Sequence, residues 1–228
     1  MRVWTNPELS AHSLIIGYMT DLKTKRDPLG TRRRILEAAT EEFTRAGLSG
    51  ARVDQIAKKA LTNERMLYYY FGSKEQLFTT VLEVAFAAFS DAELAISFDG
   101  DTPVEAMTRL MHSIWDFYRE HPELLRLVNN ENLHEARYLK KSMAVRASMQ
   151  PILLRLKEIL AQGEQAGVFR SQVEPELLFI TISALGYYVV SNRYTIETSM
   201  GLDFTLGEEC DATVRMHTEM MLAYLTRL

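Results

Sequence analysis

TRRRILEAATEEFTRAGLSGARVDQIAKKALTNERMLYYYFGSKEQLF, residues 31–78, carries three short helical patterns and the beginning of a fourth. Leu36, Ala39, Phe43 and Ala46 recur at three- and four-residue steps, which places them on one face of a first helix. Gly47 supplies the stop, because glycine takes the left-handed conformation that ends helices at little cost. Val53, Ile56, Ala57 and Ala60 form a second short apolar face. After a break at Leu61-Thr62-Asn63 a third helix is expected, with Asn63 as its N-cap and Met66, Leu67 and Tyr70 turned inward. Two helices of about two turns, joined by about four residues, match a helix-turn-helix, whose second helix fits a DNA major groove.

Ile35-Leu36-Glu37-Ala38-Ala39, Phe43, Gly47, Val53, Ile56-Ala57 and the run Leu67-Tyr68-Tyr69-Tyr70-Phe71-Gly72-Ser73-Lys74-Glu75 resemble the DNA-binding domain of the TetR family of bacterial transcriptional regulators. The chain departs from that family's usual pattern in three places. Leu61-Thr62-Asn63 stands where Gly-Val-Ser is usual, Arg65 where a small residue is common, and Arg52 where Thr or Ser is common. The fold expectation survives these changes, and the operator sequence does not follow from them. Candidate DNA contacts are Arg32, Arg52, Thr62, Asn63, Glu64, Arg65, Tyr68, Tyr69, Tyr70 and Lys74. Arg65 has the fork to read a guanine, Thr62 and Asn63 suit a base edge or a phosphate, and tyrosine hydroxyls donate to phosphate oxygens. The resemblance implies backbone contacts by Tyr68, Tyr70 and Lys74, and Lys74 also opens a helix, where amides favour an anion. Arg32, Arg33 and Arg34 serve equally well as a solvated face or as phosphate contacts.

Composition limits the alternatives. Of 228 residues 47% are hydrophobic and 25% charged, as in ordinary globular proteins. The single Cys210 excludes an internal disulfide, and a reducing cytoplasm is the expected compartment. No apolar run reaches the ~18 residues of a membrane span, and no secretory signal pattern precedes Thr20. The net charge of −4 is unevenly spread. Between Thr20 and Phe78 stand 12 Lys or Arg against 8 Asp or Glu, a net +4; the remaining 14 basic and 22 acidic residues carry −8. A basic end on an acidic body presents one surface to phosphate and repels it elsewhere.

Residues 1–27 show no sustained periodicity and read as a mobile arm, with Met19 an alternative start to Met1. Residues 28–75 form the expected helix-turn-helix domain, and residues 76–228 a larger helical domain for ligand binding and dimerisation. Ser73-Lys74-Glu75-Gln76 is a capping box that starts a long helix through Leu77, Val81 and Phe89, fading near Phe98. That helix belongs to both domains and is the natural transmitter between them. Thr102-Pro103-Val104-Glu105 is a second box, opening a helix to about Glu120, and a short helix follows from Glu123. A segment from about Glu135 to Gln165 contains Pro151 and is either kinked or two helices. Helices from Glu174-Pro175 to about Asn192 and from about Gly207 complete an all-α chain of about nine helices.

Leu177 to Val190 is apolar nearly all round, which implies burial on every side. With the last helix, the resemblance implies a four-helix contact across the twofold axis of a homodimer, spacing two recognition helices about one DNA turn apart. The candidate effector-pocket residues are Met111, Trp115, Tyr118, Asn130, Asn132, Tyr188, Asn192 and Arg193. Leu124–Leu133, Gly167-Val168-Phe169-Arg170 and Ser191-Asn192-Arg193 resemble, more loosely, the family subgroup that includes a pyrimidine-responsive regulator of uracil breakdown. The polar residues among them serve equally as helix caps or links. The five histidines are dispersed without metal-site spacing, and nothing implies a cofactor or a catalytic motif. The expected function is a ligand-released repressor that binds palindromic operator DNA. The competing class is a helical small-molecule-binding protein or enzyme whose basic end is incidental.

Overall fold

The computed structural model describes residues 27–226. The expected arm, except Asp27, and the choice between Met1 and Met19 lie outside the described residues. All regular structure among the described residues is helical, in ten α-helices and one 3-10 turn at Leu139–Lys141. The helices are α1 (Pro28–Gly50), α2 (Val53–Lys59), α3 (Glu64–Phe71), α4 (Lys74–Leu94) and α5 (Pro103–Glu120), followed by α6 (Pro122–Leu133), α7 (Met143–Gln165), α8 (Pro175–Ser191), α9 (Arg193–Met200) and α10 (Gly207–Thr226).

Local chemistry starts and stops most of them. Asp27 Oδ1 accepts from the Gly30 amide at 3.0 Å, with Pro28 in the first turn where no donor is needed. Ser73 caps α4 by accepting from the Gln76 amide at 3.1 Å, half of the expected box. Thr102 and Glu105 form the full reciprocal box at the start of α5. Gly47 interrupts α1 with φ 65°. A side chain there would also collide with Asn130, so both conformation and close approach call for glycine.

Two apolar clusters organise the helices. The first gathers Ile35 and Phe43 of α1, Ile56 of α2, Leu67 of α3 and Leu77, Phe78 and Leu82 of α4, all essentially buried. Each such side chain contributes about 1.5–3 kcal/mol of burial. Leu127 joins this cluster from α6, far along the chain. The second cluster is built on Phe89 of α4, Leu110 and Ile114 of α5, Leu156 of α7, Ile182 of α8 and Leu225 of α10. Thus α4 gives its first half to one cluster and its second half to the other.

Three elements differ from expectation. The helix foreseen from Glu135 begins only at Met143, because Glu135 and Ala136 take φ 57° and 55°. The buried Glu131 carboxylate holds that turn, accepting from the amides of Tyr138 at 2.6 Å and Leu139 at 2.8 Å. Pro151 lies inside α7 without dividing it. Helix α9 was not foreseen, since Ile196 is its single buried residue and leaves no apolar repeat to read.

Candidate nucleic-acid interface and the helical core behind it

The turn between α2 and α3 is closed by two reverse hydrogen bonds, Thr62 N–H to Ala57 O at 3.0 Å and Leu61 N–H to Lys58 O at 3.2 Å. This pattern puts the residue after the helix C-cap in the left-handed region, normally glycine's place. Here that residue is Leu61, at φ 52° and 79% exposed. Asn63 then caps α3, its side-chain oxygen accepting from the Met66 amide at 3.1 Å.

Helix α3 buries Leu67 and Phe71 against the first cluster and leaves its opposite face open. Arg65, Tyr68 and Tyr69, three and four residues apart, share that face and are exposed. Tyr69, 76% exposed, meets the half-buried Tyr70 edge to face with ring centroids 5.2 Å apart. Tyr70, expected inward, sits at the margin, and so does Met66. Glu64 is exposed, while Thr62 and Lys74 are half-buried on either flank of α3.

The other basic candidates differ in freedom. Arg32 lies over the Phe71 ring, 5.0 Å from its centroid. Arg34 is tied down, donating to the Ala60 carbonyl at 3.2 Å and to Thr31 Oγ1 at 3.0 Å. Arg33 pairs with Glu37 at 3.5 Å. Arg52 forks onto Asp54 at 3.1 and 2.8 Å, which holds the Asp54 carboxyl below its usual range. A phosphate would have to compete with that carboxylate for the Arg52 fork.

Family comparison accounts for both ends of this chain. Residues 35–81 match the model "Bacterial regulatory proteins, tetR family", and residues 103–221 match "Tetracyclin repressor-like, C-terminal domain". The chain belongs to the TetR family. The HTH-type transcriptional repressor NicS of Pseudomonas putida is 38% identical over 173 residues, covering 76% of this chain and 82% of that protein. The HTH-type transcriptional regulator RutR of Escherichia coli is 26% identical over 187 residues, covering 82% of this chain and 85% of that protein. In structure, the putative transcriptional regulator SCO4942 of Streptomyces coelicolor superposes with a TM-score of 0.65 at 24% identity, covering 87% of this chain and 99% of that one. This TetR-family chain is therefore an all-helical helix-turn-helix transcriptional regulator, and its named relative NicS is a repressor.

Behind the helix-turn-helix, the eight effector-pocket candidates of this TetR-family chain do not converge. Met111 and Trp115 line a cavity of about 20 Å³ between α5, α8 and α10, together with His112, Gly186, His217 and Thr218. That is space for about one water molecule. The indole Nε1 of Trp115 and Nδ1 of His217 are buried there without partners, and burial lowers the His217 pKa so that the ring favours its neutral form. Tyr118 is buried in the second cluster. Asn130 faces the other way, its Oδ1 accepting from the Leu48 amide at 3.0 Å across the α1 break. Asn132 is exposed, Tyr188 is 62% exposed, and Asn192 caps α8 by donating to the Tyr188 carbonyl at 2.9 Å. Arg193 belongs to a separate pocket with Arg126 and Tyr194.

The reading of the sequence missed His112, His217 and Thr218, which meet only through the packing of α5 on α10: His112 Nε2 lies 3.2 Å from Thr218 Oγ1. It also missed Glu93, wholly buried in α4 with its Oε2 accepting from Ser113 Oγ at 2.8 Å. The signal available for Glu93 was an acidic residue at core spacing from Phe86 and Phe89.

Proposed function

We propose that this regulator is a homodimeric repressor that binds palindromic operator DNA through α3 and lets go when a small molecule occupies its helical body. The observation that carries the reading is the open face of α3, where Arg65, Tyr68 and Tyr69 are exposed above the buried Leu67 and Phe71. In this reading residues 28–75 read DNA and residues 76–228 sense the ligand and dimerise in the cytoplasm. Tyr68, Tyr70 and Lys74 hold phosphates, with Arg32 and Arg52 at the edge of the site. Arg65 reads a base, assisted by Thr62, Tyr69 and the neighbourhood of Asn63 and Glu64.

The dimer face is the outer side of α8 and α10. Leu177, Ile180 and Tyr188 on one helix and Met216, Met220 and Tyr224 on the other are all 47% or more exposed. Apolar side chains in such register on adjacent helices suit a symmetric contact. A ligand that favours one spacing of the recognition helices by about 1–3 kcal/mol changes operator affinity several- to ~100-fold.

The test is retention of the DNA upstream of the chain's own gene in a gel shift at rising salt. Specific retention that falls steeply with salt supports the repressor reading, because each neutralised phosphate steepens the logarithmic slope by about 0.9. Tyr68→Ala or Lys74→Ala lowers affinity for all sequences alike, whereas Arg65→Ala relaxes preference at one or two positions. No specific retention at any salt sinks the reading that α3 of this regulator reads an operator beside its own gene.

A further inference from the structure

Two arginines from different helices converge on one phenol. Arg126 of α6 donates from a terminal nitrogen to Tyr194 Oη at 3.3 Å, and Arg193 of α9 donates to the same oxygen at 2.5 Å. Their bonding nitrogens are therefore no more than about 6 Å apart, and like charges so placed repel each other. Among the described residues, neither has a carboxylate within 4.0 Å. Glu123 feels the Arg126 charge and Asp203 the Arg193 charge, but each carboxylate holds another partner. Glu123 pairs with His121 Nδ1 at 3.0 Å, and Asp203 accepts from the amide of Thr205 at 2.8 Å and its hydroxyl at 2.6 Å.

The phenol is left with a directed proton. With two guanidinium groups on the acceptor side of the oxygen, its O–H is free to donate, and the two positive neighbours draw the Tyr194 pKa down. Beside it lies a pocket of about 30 Å³ between α6, α8 and α9, walled by Leu125 and Val190 and edged by Asn129. Helix α9 opens onto this corner with no acid in its first turn and no side-chain cap, which adds positive potential.

We propose that Arg126, Arg193 and Tyr194 form a surface binding site for the carboxylate head of a small organic acid. A planar carboxylate accepts from guanidinium nitrogens and from the phenol together. The inference rests on the effector reading above only in naming this acid as the effector. The site itself stands on the charge arrangement.

The probe is sodium benzoate, added to the full chain at constant ionic strength with sodium chloride as the matched control. Binding is followed by calorimetry and by melting temperature. Benzoate is expected to bind in the millimolar range and to raise the melting temperature where chloride does not. Arg126→Gln and Arg193→Gln each weaken it about tenfold, as loss of one charge-assisted hydrogen bond predicts. Both arginines reach the surface, so either variant folds, and Tyr194→Phe provides a third that keeps the ring. No benzoate binding beyond the chloride control, equal binding in both glutamine variants, or preference for inorganic phosphate overturns the proposal. Benzoate binding that both variants weaken but that leaves operator retention unchanged upholds the site and removes this acid as the effector.

Discussion

Replacing Glu93 by glutamine is expected to give a stability advantage that grows with pH, by about 2.5 kcal/mol between pH 5 and pH 8. Glu93 is 1% exposed, and its Oε1 has no hydrogen-bond partner. Burial pushes its pKa from 4.5 up to about 7, against smaller downward effects of the Ser113 hydrogen bond and the Arg155 charge. In the unfolded chain the carboxyl titrates near 4.5. Between that value and about 7 the folded state keeps a proton that the unfolded state has lost. Stability therefore falls as pH rises through this window, and the loss is complete above the folded pKa. The displacement corresponds to about 3 kcal/mol.

Glutamine carries no charge at any pH and still offers Ser113 an oxygen. Its buried amide hydrogens lack acceptors, which costs about 1–3 kcal/mol at every pH and moves the whole curve without changing its slope. The assay is urea unfolding of both proteins at pH 5, 6, 7 and 8, at one protein concentration throughout. The other titrating groups are common to both proteins and cancel in the difference. Parallel stability curves would refute the reasoning, since they would mean that Glu93 ionises as easily inside the fold as outside.

Leu61→Gly should stabilise the protein by about 1 kcal/mol, because the left-handed conformation strains a side chain that is too exposed to repay it in packing; an unchanged melting temperature would argue against that strain. Gly163→Ala should destabilise by about 1–3 kcal/mol in urea unfolding, because the new methyl must displace the ring of Phe169, which is 1% exposed. Asn130→Ala removes the acceptor of the Leu48 amide and should lower stability by about 1–3 kcal/mol, with Asn130→Asp restoring most of it because an acceptor oxygen returns.

What could be read from the sequence was decided within a few residues. The caps at Asn63, Ser73 and Thr102 each answer an amide three residues on, so residue type and spacing alone expose them. The inward Leu67 and Phe71 and outward Tyr68 and Tyr69 follow from helical repeat on so short an element. Where the deciding partner is distant, the sequence is silent. Asn130 and Leu48 are 82 residues apart, and nothing around Asn130 distinguishes a pocket residue from a clasp on α1. Glu131 looked like one polar residue among several, yet its carboxylate sets where α7 can begin. The break at Leu61 was visible; that a leucine would occupy the left-handed place was not, since residue preference argues against it.

The same distant contacts change the picture of how the two ends communicate. Helix α4 was the expected transmitter, and it does span both clusters, with Phe78 in one and Phe89 in the other. Helix α6 is a second bridge. Leu127 is buried in the first cluster and Asn130 clasps α1, while Asn129 donates to Ser191 on α8 at 2.7 Å and Arg126 reaches Tyr194 on α9. Adjacent residues on one helix thus face opposite partners, because one helical step turns the side chain by about 100°. A displacement of α8 or α9 relative to α6 does not pass through α4 first. It bears directly on the Asn129 contact, and Asn130 on the same helix faces the break in α1 that leads into the helix-turn-helix. If a ligand signal passes between the two clusters, two parallel bridges predict that weakening the Asn129 contact lowers the response without abolishing it.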